Sequence, residues 1–484
     1  MLKFANSFKS IFTKTKYIMA LIKSISGFRG EIGGKSGNNL TPVDLVSFVS
    51  AFAQFIKEKT GKEKISILIG RDARISGEMV SHLVTGTLMA MGVDVMDTGL
   101  STTPTTEVAV VDNKADGGII LTASHNPVQW NALKFLAGNG EFISKQEGER
   151  VLELADKNDF CFADAKQLGK YTKIEDAVEK HIEKVLALPL VDVEAIKQAK
   201  FRVAFDSVNS TGGFVLKKLL AALGVEDVFA LNDEPTGFFA HNPEPLPENI
   251  RDICELVERE HCHVGFVVDP DVDRLALVTE SGKPFVEEYT LVSVADYVLE
   301  HTPGNTVSNL SSSRALRDIT EKKYNQKYYA SAVGEVNVIE KMKEVNAVIG
   351  GEGNGGVIYP ECHYGRDALV GIALFLTLLA KKGMKCSDLR DSYPDYVIVK
   401  KKMELTPEIN IDLVLNSMIE KYNSYEVITT DGVKINFENE WVHLRKSNTE
   451  PILRIYAESN NVTTAEHLAD SIIKDIQNII REKL

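Results

Sequence analysis

Cysteine is scarce in this chain: five residues among 484, at Cys161, Cys254, Cys262, Cys362 and Cys386. They are odd in number, scattered and without a CxxC pair, which excludes a disulfide framework and a cysteine-built zinc site and fits a reducing, cytoplasmic setting. Long apolar runs are missing too. The best candidate, "LVGIALFLTLLA" at 369–380, is too short to span a bilayer and reads as a buried helix, so no membrane partner is expected. Positive charge is in deficit, with 55 Lys and Arg against 68 Asp and Glu and a net charge of -13. Nothing global would neutralise phosphates, which disfavours nucleic acid or an anionic membrane as partner. An anionic substrate would need a site that is positive only locally. Residues 1–18 carry Lys3, Lys9, Lys14 and Lys16 and no acid. The apolar run at 17–22 is too short for a secretory core, and the segment reads as a flexible N-terminal extension.

What is present is the composition of an ordinary globular protein, 44% hydrophobic and 25% charged. The length points to about three domains. Short β-branched runs ending in glycine or a polar loop recur: "KISILIG", "GGIILTAS", "FRVAFDSVNSTGG", "HVGFVVDPDVD" and "NAVIGGEGNGG". Alternating with helical patterns, they read as βα units with mixed or mostly parallel sheets, whose ligands gather at the strands' carboxyl ends. From about Lys400 several strands follow in succession, and then a helix with Leu468, Ile472, Ile476, Ile479 and Ile480 on one face. That reads as a separate α+β domain. Boundaries are expected near 170–175, 281–288 and 391–401.

Four polar loops carry the chemistry. In "GGIILTASHNPVQWNALKF" an apolar strand breaks at Ser124, His125, Asn126 and Pro127, where proline forces a turn and presents a hydroxyl and an imidazole on a rigid stem. An ordinary Ser/Asn/Pro turn accounts for such a tetrapeptide equally well. "VVDPDVDRLALV" places Asp269, Asp271 and Asp273 at alternate positions after a strand. Such carboxylates repel unless a hard divalent cation, Mg²⁺ or similar, joins them. The EF-hand look-alike fails, because Arg274 stands where the turn glycine is needed and the flanks read as strands. "GGEGNGGVIYP" sets Glu352 and Asn354 among glycines, an acceptor and a donor suited to vicinal hydroxyls, or simply a glycine-rich turn. "LRKSNTEPILR" brings Arg445, Ser447, Asn448, Thr449 and Arg454 together as a phosphate cradle or a charged hairpin.

In this order, along nearly the whole chain from Met19, the loops resemble those of the α-D-phosphohexomutases: T-A-S-H-N-P, D-x-D-x-D-R, G-E-x-x-G and R-x-S-x-T-E-P. The resemblance implies four domains around a cleft, 19–172, 173–286, 287–398 and 399–484, after the extension 1–18. It implies a phosphoryl group moved between the 6- and 1-positions of a hexose phosphate through a phosphoserine and a 1,6-bisphosphate, with glucosamine or glucose 1,6-bisphosphate as activator. Ser124 would be the phosphorylated residue and share Mg²⁺ with Asp269, Asp271 and Asp273. Lys134 would be the general acid/base, assisted by His125, with Arg29 of "SGFRG" and Arg274 nearby. Glu352 and Asn354 would read sugar hydroxyls, and Arg445, Ser447, Asn448, Thr449 and Arg454 the distant phosphate. "ALIKSISGFRGEIGG" and "GGEGNGG" look like members assigned to glucosamine phosphates, with a phosphomannomutase/phosphoglucomutase as the alternative. A silent phosphosugar-binding protein or a metal-dependent phosphatase are the readings from other classes. Three departures bear on the sugar: Ala132 replaces the usual glycine, Gly356 the histidine of many bacterial members, and "SAVGEVNV" at 331–338 lacks a histidine after its glycine.

Overall fold

The computed structural model describes residues 21–24, 27–406, 409–447 and 452–483. The expected extension 1–18 and the loop residues Asn448 and Thr449 lie outside these residues. Four sheets follow one another along the chain. The first runs Ile22–Ser24, Gly27–Glu31, Trp130–Ala137, Gly117–Leu121, Ser66–Arg71, Asp94–Leu100, Tyr171–Lys173, parallel in the middle and antiparallel on the Gly27–Glu31 side. Two four-stranded sheets repeat the mixture. Val264–Val268 pairs parallel with Arg202–Asp206 and antiparallel with Leu275–Thr279. Likewise Ala347–Glu352 pairs parallel with Asn305–Asn309 and antiparallel with Gly356–Ile358. The last sheet is antiparallel, five-stranded and backed by helices Ile411–Lys421 and Val462–Lys483. This is the α/β organisation with a C-terminal α+β unit that the strand pattern implies.

One detail differs from the expected βα alternation. Each polar loop turns straight back into an antiparallel neighbour instead of leading into a helix. The gaps at 122–129, 269–274, 353–355 and 447–451 are too short for a crossover of about a dozen residues. Every candidate loop is therefore the tip of a hairpin whose two stems are held in a sheet.

Helix packing sets those stems. Helix Pro42–Thr60 starts at a Thr41/Asp44 capping box and ends at Gly61, whose φ of 66° needs glycine's freedom. It buries Phe48, Phe52, Phe55 and Ile56. Phe48 stacks on Phe28 at 3.7 Å and Phe52 on Phe135 at 4.3 Å between ring centroids. Strand alternation then sends Lys134, next to Phe135, to the opposite face. The run 369–380 lies within helix Ala368–Lys382, buried from Ala368 to Leu379, and in the C-terminal helix Ile472, Ile476 and Ile479 enter the core with Leu468 and Ile480 against it. Among the described residues no helix is long and apolar enough to cross a membrane.

Because Phe135 anchors the strand that carries Lys134, Phe135→Ala should cost roughly 3–5 kcal/mol. An earlier first transition in urea, with Lys134-dependent activity reduced, is the expected result; an unmoved transition would show that the aromatic stack does not support this strand.

Candidate active site

Ser124 sits at the hairpin tip with a φ of 50°, a left-handed backbone that costs a serine about 1–3 kcal/mol and persists only where the surroundings enforce it. The enforcing group is Arg74, which sequence reasoning missed. Its Nε donates to Asp72 (3.1 Å), one terminal nitrogen to the Pro127 and Trp130 carbonyls (2.7 and 2.9 Å), and the other to those of Ser124 and Asn126. Four of the five guanidinium donors are thus spent on the backbone of the Ser124 turn and the fifth on Asp72. Asp72 also accepts from Thr122 (2.6 Å), whose hydroxyl in turn accepts from the Ser124 amide (2.9 Å). The only sequence cue was an arginine three residues past a strand end.

The Ser124 hydroxyl donates to Asp269 at 2.8 Å. Asp269, Asp271 and Asp273 are fully buried, and each offers an oxygen within 4.8 Å of the others. Between them Val272 has a φ of 61°, a backbone that a β-branched residue strongly resists. Burial first, then Asp273 and Asp271, push Asp269 well above the usual carboxylate range. Burial acts the same way on Asp271, yet Lys134 and Thr103 hold it below that range, through contacts of 2.9 and 2.6 Å. Lys134 mirrors this: burial would lower its ammonium, but Asp271 and Asp273 outweigh burial and raise it. Two buried oxygens, Asp271 Oδ1 and Asp273 Oδ1, have no hydrogen-bond partner. An anionic, all-oxygen donor set with orphaned lone pairs fits a hard divalent cation.

A second missed residue joins this triplet to the glycine-rich loop. Buried Arg366 donates to Asp273 (2.6 Å) and to Glu352 (2.7 Å), and pairs with Glu335 at 3.3 Å. Glu352 also accepts from Asn309 (2.8 Å) and the Gly334 amide (3.1 Å), and more weakly from Asn354 at 3.5 Å. The preceding residue, Val333, donates its amide to Asp431 at 3.0 Å, and Asp431 holds Arg445 Nε at 2.8 Å. In the last hairpin Arg445 stands directly opposite Arg454 and Ser447 is buried. Contacts thus run from the aspartate and glycine-rich loops to Arg445 on the stem of the last hairpin.

A cationic wall faces Ser124. Arg29 donates to Asn126 (2.9 Å) and Arg274 to Glu244 (3.2 Å). Burial, then Arg274, lowers the Arg29 guanidinium, and burial with Arg274 and Arg29 pushes the His125 imidazole well below its ordinary value. His125 Nδ1 lies 3.4 Å from the serine hydroxyl. Cations that depress one another are stabilised by an anion among them.

Models of the phosphoglucomutase/phosphomannomutase family match four successive stretches: α/β/α domain I at 21–161, domain II at 179–282, domain III at 287–396 and the C-terminal domain at 397–475. The chain is 35% identical over 452 residues to a phosphoglucomutase/phosphomannomutase of Thermococcus kodakarensis, covering 93% of this chain and 98% of that one. The chain belongs to the α-D-phosphohexomutases. A phosphoglucosamine/phosphogalactosamine mutase of Sulfurisphaera tokodaii is 31% identical, covering 96% of this chain and all of its own. The fold is that of a phosphoglucomutase/phosphomannomutase family protein from Burkholderia thailandensis (TM-score 0.82, 23% identity, 96% and 97% of the two chains). It is shared with Aspergillus fumigatus N-acetylphosphoglucosamine mutase, solved with GlcNAc-6P and magnesium (TM-score 0.59, 13% identity, 95% and 96%). This phosphohexomutase is an enzyme, an intramolecular phosphotransferase.

Two of its departures from the family pattern have one physical cause. A Cβ at Gly356 would stand 2.3 Å from Arg366 Cδ, so no side chain fits there while Arg366 is in place. Glu335, in the position after Gly334, accepts from the Arg366 backbone amide at 2.7 Å as well as pairing with its guanidinium. Arg366→Lys keeps the charge but cannot span three carboxylates. Its kcat/KM should fall by roughly 1.5–3 kcal/mol, about ten- to a hundredfold, with the circular dichroism spectrum unchanged. Kinetics indistinguishable from the parent would show that the bridge does not position the cleft.

Proposed function

We propose that this mutase interconverts glucosamine 6-phosphate and glucosamine 1-phosphate through a phosphoserine at Ser124 and a 1,6-bisphosphate that turns over in the cleft. The observation that carries the reading is the Ser124 hydroxyl at 2.8 Å from Asp269, inside a buried acidic triplet and beside a buried lysine. Phosphoryl transfer asks for in-line placement and neutralisation of spreading charge. Asp269, Asp271 and Asp273, with an oxygen of the phosphorylated Ser124, would hold Mg²⁺, in keeping with the magnesium in the Aspergillus relative. Bound there, the ion supplies a Lewis acid for the transferring group. Arg29 and Arg274 offset the phosphoryl charge. The sugar hydroxyl loses a proton as it attacks the phosphoryl group and the departing oxygen gains one: neutral His125 can accept the first, and Lys134, kept protonated by Asp271 and Asp273, would supply a proton to the sugar oxygen that departs when the phosphoryl group returns to Ser124.

Asn354 Nδ2, only weakly engaged by Glu352 at 3.5 Å, is the freer of the two loop groups to meet a sugar hydroxyl. Arg445, Ser447 and Arg454, with Asn448 and Thr449, would receive the distant phosphate: Asp431 pairs with Arg445 on one side, and Arg454 directly opposite adds positive charge that an anion would offset. Glucosamine or glucose 1,6-bisphosphate would serve as activator. The 31% identical phosphoglucosamine/phosphogalactosamine mutase supports the amino sugar. A glucose or mannose phosphate is the second reading, supported by the 35% identical phosphoglucomutase/phosphomannomutase.

Ser124→Ala should lose nearly all mutase activity while remaining folded, and the intact mass of active enzyme should carry one phosphate that the variant lacks. Parent-like turnover in the variant would remove Ser124 as the carrier.

The sugar is decided by kcat/KM for glucosamine, glucose and mannose 1-phosphates with Mg²⁺ and the matching bisphosphate. Glucosamine should rank first, with residual activity on glucose, because the cradle and triplet do not inspect C2. A preference of about tenfold or more for glucose or mannose would replace the amino-sugar assignment.

A further inference from the structure

Away from the acidic triplet, a second, largely buried cluster with two of its four members half-buried forms where helix Ala177–Leu186, helix Thr103–Asp112 and the segment before helix Ala368–Lys382 meet. His181, Cys362, His363 and Asp367 each place one ligand atom within 4.8 Å of the others. His181 and Asp367 are essentially inaccessible. Nothing in the phosphoryl-transfer reading uses this cluster.

The arrangement around the four groups is directional. His181 Nδ1 lies 2.9 Å from Thr105 Oγ1, and His363 Nδ1 lies 3.3 Å from Glu107 Oε2. Both Nε2 atoms therefore turn inward and meet the same atom, Asp367 Oδ2, at 2.8 and 3.2 Å. The rings stand nearly perpendicular, at 84°, as two ligands approaching one centre from different sides do. Asp367 divides its oxygens: Oδ1 caps helix Ala368–Lys382 by accepting from the Leu369 and Val370 amides at 2.8 and 3.4 Å, which leaves Oδ2 for the cluster. Outer partners on Nδ1 and a committed second carboxylate oxygen are how metal-binding imidazoles and carboxylates are oriented. Gly365 lets the outer carboxylate close in, since a Cβ there would stand 1.9 Å from Glu107 Oε2.

We propose that His181, Cys362, His363 and Asp367 form a closed tetrahedral site for a zinc ion, distinct from the magnesium site. Two imidazoles, a thiolate and one carboxylate oxygen are a borderline-soft set that suits Zn²⁺, and a hard ion such as Mg²⁺ prefers oxygen alone. The scarcity and spacing of cysteine exclude a site built from cysteines; this one takes a single cysteine and draws its other ligands from across the fold. At bond lengths of about 2.0–2.3 Å the ligands draw together slightly, and the Cys362 thiol gives its proton to solvent as its sulfur binds. The ion joins helix Ala177–Leu186 to the chain immediately beside Arg366, the residue that spans Asp273 and Glu352. Its role is structural: it fixes the backbone from which that bridge reaches the cleft.

The test uses the full chain purified without chelator. Metal analysis after exchange into metal-free buffer should find one zinc per chain that excess Mg²⁺ does not displace. Replacement by Co²⁺, with Mg²⁺ in excess, should produce a thiolate-to-cobalt absorption band. Both signals should be lost in Cys362→Ser, a near-isosteric change that spares the fold. A parent protein that retains no zinc and gives no thiolate band on cobalt addition would overturn the proposal, leaving a metal-free imidazolium shared between Asp367 and Glu107. Zinc binding unchanged in Cys362→Ser would overturn the ligand set.

Discussion

Three carboxylates buried within reach of one another repel, and the strongest contacts around the cleft offset that repulsion. Lys134 and Thr103 neutralise Asp271, the Ser124 hydroxyl donates to Asp269, and Arg366 holds Asp273. Ser124 and Lys134 come from one hairpin, Thr103 from a helix start and Arg366 from the segment before helix Ala368–Lys382. Electrostatic necessity in one loop therefore pins the others: removing Lys134 or Arg366 would leave a buried charge uncompensated, a cost of about 3–5 kcal/mol. The two oxygens left without partners are the part of the demand that the protein alone does not meet.

The hairpin geometry makes this possible. A loop leading into a helix can tilt with it, whereas a tip with both stems in a sheet has little freedom to retreat from a like charge. Strain collects there accordingly, at Ser124 and Val272, both with left-handed backbones. Arg74 is the counterweight on the first tip, binding four carbonyls that would otherwise relax the turn. The Ser124 hydroxyl is thus placed by contacts to the loop's own backbone.

The parts of this site that were legible in the sequence were those written within a few residues. A serine before His-Asn-Pro, aspartates at alternate positions and a lysine ten residues past the serine announce themselves because chemistry and spacing coincide in one short segment. The strand pattern likewise conveyed α/β units and an α+β end, but its alternation led to helices after the polar loops, and the hairpins emerged only with the sheets. Arg74, Arg366, Glu335 and the His181–Asp367 cluster were not legible. Each is an ordinary residue in its own neighbourhood, and its meaning lies in partners that the fold brings in from elsewhere: Ser124 lies 50 positions from Arg74, Glu335 31 from Arg366 and His181 186 from Asp367. No periodicity or local motif encodes such pairings; they exist only once the sheets are packed.

This also explains why the sugar is harder to read than the reaction. Positions 335 and 356, two of the departures from the family pattern, are tied here to Arg366 by an ion pair and by lack of room. A side chain at 356 would expel Arg366, and expelling Arg366 would strand Asp273, Glu352 and Glu335 together. These residues can change only as a set, so the glycine-rich loop and the aspartate loop form one electrostatic unit. A change in one of these loops is therefore felt in the other, and no single residue that a motif could name stands alone.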